Sequence, residues 1–64
     1  MGLNEDEVDF LKRIRDGRRL RPADRVEDRA RQRCRKLGLA EIRMMPRRWC
    51  ITDAGVSALQ HRTG

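Results

Sequence analysis

Apolar residues recur along this chain with a helical period in its first half, switch to strict alternation after Gly38, and return to a helical period near the end. The change of period predicts the order helix, helix, strand, strand, helix. The first stretch opens with an unusually complete start signal. Asn4 stands as N-cap, Glu7 three residues on can close a capping box, and Leu3 with Val8 can form a hydrophobic staple. Val8, Leu11 and Ile14 then share one face with Phe10 adjacent, and Gly17 is the expected stop.

The longest periodic stretch runs from Pro22 to Leu39. Val26, Ala30, Cys34 and Leu37 form its apolar stripe, with Ala23 one turn earlier. Pro22 and Asp24 both serve as starts, because Asp24 and Glu27 offer a second capping pattern. Gly38 followed by Leu39 is a Schellman-type end. Around this helix, at 100° per residue, Arg25, Arg29, Gln32, Arg33 and Lys36 fall on one flank of the stripe with no carboxylate among them. Asp24, Glu27 and Asp28 fall on the other side with Arg31 and Arg35, where Glu27 and Asp28 are spaced to pair with Arg31. A carboxylate-free basic edge suits phosphates, and Gln32 or an arginine on it can address a base edge.

Beyond Gly38, Ile42 and Met44 face one way and Trp49 with Ile51 does the same. Met45, Pro46, Arg47 and Arg48 link the two strands as a basic hairpin tip. A two-stranded hairpin is marginal alone, so Ile42, Met44, Trp49 and Ile51 are expected to pack on the helices. Truncating Trp49 to alanine is expected to cost about 3 to 5 kcal/mol. Thr52 or Asp53 caps the last helix, Val56 and Leu59 supply its apolar face, Gly55 permits a close approach to the hairpin, and fraying is expected from Gln60 to Gly64.

Composition narrows the function classes. In 64 residues, 16 basic against 10 acidic side chains leave a net charge of +6, which makes a polyanion the default partner. All the basic residues except Lys12 and Lys36 are arginine, the better fork for phosphate and guanine. Phe10 and Trp49 are the only aromatics, too few for a base-stacking sheet, so single-strand and RNA-binding platforms are disfavoured. Cys34 and Cys50 do not make a zinc site with the lone His61, and both read as small buried thiols of a reducing compartment; no metal or other cofactor is implied. The length supports a single domain, residues 1–64, with no enclosed active site. No paired-carboxylate cleft, nucleophile and base, or glycine-rich phosphate loop is present, which points away from an enzyme. No run is apolar enough for a signal peptide or membrane span, and Asp6 stands where a myristoylation pattern needs Ser or Thr, so a cytoplasmic location is expected.

Gly38-Leu39-Ala40 at the end of the long helix, and Trp49-Cys50-Ile51-Thr52-Asp53-Ala54-Gly55 with Leu59, resemble the recognition-helix exit and wing end of small winged-helix DNA-binding domains of the MarR and PadR kind. The resemblance extends over Val8 to Leu59. It implies an α+β winged-helix-like domain with Pro22 to Leu37 as recognition helix and Met45 to Arg48 as wing. One departure is clear: between Gly17 and Pro22 there is no room for a separate helix, so the helix-turn-helix is abbreviated or absent unless the long helix breaks into two pieces.

On this reading the chain is a small regulator that binds double-stranded DNA, similar in type to bacteriophage or prophage proteins. Arg25, Arg29, Arg33 and Lys36 would follow phosphates, Gln32 would read a base, and Arg43, Arg47 and Arg48 would act from the wing. Arg18, Arg19 and Arg21 would clamp a phosphate at the helix start. A homodimer would match a palindromic target. The alternative is a protein-interaction or inhibitor module on the same scaffold, docking an acidic host protein; the acids Asp24, Glu27 and Asp28 suit this better than they suit DNA.

Overall fold

A computed structural model describes residues 2–61. It is an α+β arrangement: α1 (Glu5–Arg15), α2 (Arg25–Lys36), β1 (Ala40–Arg43), β2 (Arg48–Ile51) and α3 (Asp53–Gln60). The order is the one the periodicity predicts.

Each boundary has a local cause. The Asn4 side chain accepts from the Glu7 N–H at 2.8 Å while Glu7 accepts from the Asn4 N–H at 3.0 Å, the reciprocal capping box expected of α1. Gly17 takes φ +67 immediately beyond the helix, a left-handed conformation that a β-carbon would strain. Asp24 is the N-cap of α2, so Pro22 and Ala23 lie outside the helix. Its carboxylate accepts from the Glu27 N–H at 2.8 Å. At the other end, Gly38 at φ +76 turns the chain into the hairpin.

β1 and β2 pair antiparallel, with Ala40 opposite Ile51 and Ile42 opposite Trp49. The strands are shorter on one side and longer on the other than the alternation predicts. β1 stops at Arg43, and Arg48 belongs to β2 rather than to the connection. Met44 is therefore in the turn and exposed instead of packed, with Met45 beside it 97% exposed. Thr52 caps α3 by accepting from the Gly55 N–H at 3.1 Å. The helix persists through Gln60, one residue into the segment expected to fray, and residues 62–64 of that expectation lie outside the described residues.

The core is formed by Phe10, Leu11, Cys34 and Ala40, with Leu3, Ile14, Leu20, Leu39, Trp49, Ile51 and Leu59 packed around it. Phe10 meets the edge of Trp49 in a T-shaped pair with centroids 5.2 Å apart. A β-carbon on Gly55 would overlap the Leu39 carbonyl oxygen and lie 2.6 Å from Ile51 Cγ1, so the close approach between α3 and the hairpin requires glycine there.

The largest departure from the sequence pattern is the orientation of α2. Val26 is 58% exposed, whereas Glu27 is 3% exposed. The buried side is Glu27, Ala30 and Cys34, which places the inward direction about 40° around the helix from the expected stripe, at 100° per residue. A chain of interactions makes burial of Glu27 tolerable. Its Oε2 accepts from Arg31 Nε at 3.0 Å, the Arg31 guanidinium lies 5.7 Å from the Phe10 ring centre, and Arg31 Nη2 donates to the Arg21 carbonyl at 2.6 Å. One oxygen, Glu27 Oε1, is left without a protein partner.

Candidate nucleic-acid interface

Turning α2 in this way changes where its basic residues point. With Ala30, Cys34 and Glu27 inward, Arg25, Gln32 and Lys36 occupy the pole of the helix directly opposite the core, with Arg29 beside them. All four are exposed. Among the described residues, Arg25, Arg29 and Lys36 form no ion pair within 4.0 Å.

Two of the expectations for this surface need correction. Asp28 lines the same shallow depression as Arg25, Arg29, Gln32, Arg33 and Lys36, so the basic row is not free of carboxylate. Asp28 stands one turn before Gln32, about 40° from it around the helix, which places its carboxylate at the edge of the row whichever way α2 faces. Arg33 is also not a free charge. Its Nη1 lies 3.2 Å from Oε2 of Glu7, a carboxylate 1% exposed that would otherwise be buried without a counterion. Arg33 thus pins α2 to α1 and offers the surface only its outer, half-exposed part.

Arg35 lies on the edge shared with Arg31 and Asp28, where it is exposed and also borders a hollow with Gln32 and Lys36. A local signal for this exists: Arg31 and Gln32, its neighbours at i−4 and i−3, offer no carboxylate. Among the described residues it has no ion-pair partner within 4.0 Å.

The hairpin arginines form a second cluster. Arg43, Arg47 and Arg48 line a depression with Arg13 and Arg18, and this lining shares no residue with the α2 row. Arg43 donates to Glu41 at 3.1 Å, a hydrogen bond that makes the Arg43 guanidinium still harder to deprotonate.

The connector arginines expected to clamp a phosphate at the α2 N-terminus have separate surroundings. Arg18 joins the hairpin cluster, and Arg21 faces Asp6 at 3.6 Å. Arg19 is exposed, and its carbonyl accepts from Arg13 at 2.9 Å. The helix start that was to hold the phosphate is already served by the Asp24 carboxylate, whose negative charge opposes an anion there. Nor does the connector contain a helix, so no separate first helix of a helix-turn-helix precedes α2.

Both cysteines are free thiols, Cys34 buried and Cys50 half-buried. Among the described residues, no group of three His, Cys, Asp or Glu side chains is placed to hold a metal ion, and no helix is long and apolar enough to cross a membrane. Comparison with protein-family models, with curated proteins and with solved structures finds no match.

Proposed function

We propose that this chain binds double-stranded DNA through the outward face of α2, as a small cytoplasmic regulator or architectural protein. The observation that carries the reading is the row of Arg25, Arg29, Arg35 and Lys36 around Gln32, exposed and without internal ion pairs among the described residues. A helix that needs only solubility gains from pairing its charges along its own surface, as Glu27 and Arg31 do here. Cations left unpaired on one face are available to phosphates, and their binding gains the entropy of counterions released from the duplex.

The dimensions are compatible with a groove. From Arg25 to Lys36 the helix rises about 16 Å, and its diameter with side chains, about 10 to 12 Å, matches the width of the major groove. Arg25, Arg29, Arg35 and Lys36 would then hold the phosphates and groove edges, and Gln32 at the centre would face base edges. The half-neutralised Arg33 contributes less to this surface than its position in the sequence implies.

A protein-docking role for the same face is favoured by one observation: Asp28 stands in the basic row, and a carboxylate repels phosphate but pairs with a cation of a protein partner. Anisotropy of a labelled random-sequence duplex, titrated with protein across about 50 to 300 mM salt, decides between them. DNA binding through three or four phosphate contacts gives a log–log salt slope of about −3, and Arg25→Gln with Arg29→Gln lowers both affinity and slope. Absence of binding at the lowest salt would refute the DNA reading.

A further inference from the structure

The depression between the end of α1, the connector and β2 joins an apolar floor to a basic rim. Ile14, Leu20, Trp49 and Ile51 form the floor, all half-buried, so each keeps part of its apolar surface in water. The rim is made of arginines, and among the described residues no carboxylate lines the depression.

Two of those arginines are already engaged, Arg13 with Asp9 at 2.8 Å and Arg43 with Glu41 at 3.1 Å. Arg18, Arg47 and Arg48 have no ion-pair partner within 4.0 Å among the described residues. Arg48 stands directly across the ladder from Arg43, a like-charge pairing that Glu41 offsets from the Arg43 side, leaving Arg48 without a carboxylate partner of its own among the described residues. The surface therefore has two unmet requirements, a cover for the floor and anions for the rim. A duplex backbone answers the second and not the first. An acidic peptide with bulky apolar side chains answers both.

We propose that this groove binds a short segment of a partner protein in which glutamate or aspartate residues flank one or two bulky apolar side chains. The apolar side chains cover Trp49, Ile14 and Leu20, and the flanking carboxylates take Arg18, Arg47 and Arg48. Charge-assisted, forked contacts from arginine to carboxylate set the orientation, and the floor supplies the area. The site is independent of the α2 row, with which it shares no residue. With α2 on DNA, the chain links a duplex to a partner protein.

Trp49 is the only tryptophan, so its emission reports on the groove directly. The probe is a synthetic peptide Glu-Glu-Leu-Phe-Glu-Glu, blocked at both ends, titrated into the whole protein without DNA. The expected result is a saturable change in Trp49 emission. Replacing the peptide's glutamates by glutamine, or its Leu-Phe pair by alanines, weakens binding by about tenfold each. Arg18→Gln with Arg48→Gln weakens it by about tenfold, whereas Arg25→Gln with Arg29→Gln leaves it unchanged. Arg18 and Arg48 are exposed, and a cooperative thermal transition no lower than that of the wild type confirms that the double variant folds.

Three results would overturn the proposal. One is no emission change up to about 1 mM peptide, the weak limit of specific recognition. Another is equal binding of the alanine peptide, which would mean attraction of a polyanion only. The last is the same emission change with a random duplex, lost in the Arg18→Gln, Arg48→Gln variant, which would make the groove a DNA surface. The peptide titration contains no DNA, so it succeeds or fails separately from the role of α2.

Discussion

Thr52 Oγ donates to the Gly38 carbonyl at 2.6 Å and at the same time accepts from the Gly55 N–H at 3.1 Å. One hydroxyl thus joins the end of α2 to the start of α3 across the base of the hairpin. The Thr52 N–H adds a bond to the Leu39 carbonyl at 3.1 Å, and Gly55 lets α3 approach that carbonyl. The Gly-Leu-Ala and Thr-x-x-Gly patterns, far apart in the chain, are two halves of one junction. Thr52→Ser keeps both bonds of the hydroxyl, while Thr52→Val keeps the shape and loses them. The valine variant is expected to lose about 1 to 2 kcal/mol in urea unfolding and the serine variant much less.

Glu7 has two separable duties, the cap of α1 and the ion pair with Arg33. Glutamine can still cap but carries no charge, so Glu7→Gln isolates the pair and Glu7→Ala removes both. Glu7→Gln is expected to cost about 1 to 3 kcal/mol and Glu7→Ala more, a serious loss for so small a domain, measurable as a fall in the unfolding midpoint. Equal effects of the two substitutions would mean that the ion pair carries all of it.

Asp28 separates the two readings of the α2 face by sign. If the face meets phosphate, Asp28→Asn removes a repulsion and tightens duplex binding by about threefold at low salt, with the gain fading as screening increases. If it meets a protein, the same change removes an attractive partner and weakens that complex. Side-by-side titration of the wild type and the variant against the duplex reads the difference.

Burial, with the Glu7 carboxylate adding to it, pushes the Cys34 thiol up to about 11 from its ordinary 9.0. Below pH 9.0 the thiol is protonated in both folded and unfolded chains, and its contribution to stability is complete. Between there and about 11 the unfolded chain releases the proton while the folded chain keeps it, so stability falls as pH rises. The denaturation midpoint is expected to decline across that window, and Cys34→Ala to flatten the decline. The chain has no tyrosine, which removes the commonest competing titration at that pH.

Local chemistry made much of this protein legible from its residues alone. Asn4 with Glu7, Asp24, Thr52, Gly17 and Gly38 set the element boundaries because caps and left-handed turns depend only on residues a few positions apart. The alternation after Gly38 likewise determined the hairpin, although its register, with Ile42 opposite Trp49, and the point at which pairing gives way to the turn, between Arg43 and Arg48, did not follow from the pattern.

What tertiary structure decided was the direction in which each element faces. An amphipathic pattern puts Val26 inside and Glu27 outside, since it scores each side chain by its own transfer cost. The fold does the reverse because Arg31, the Phe10 ring and the Arg21 carbonyl, from separate segments, assemble around Glu27 and satisfy most of it. That turn set the row of Arg25, Gln32 and Lys36 opposite the core, with Asp28 at its edge by helix spacing alone. Tertiary contact also bound Arg33 to Glu7 and gathered Arg18 with the hairpin arginines. The sequence by itself determined the elements and the excess of arginine. Which arginines are spent inside the fold and which face outward depended on carboxylates and carbonyls brought near only by folding.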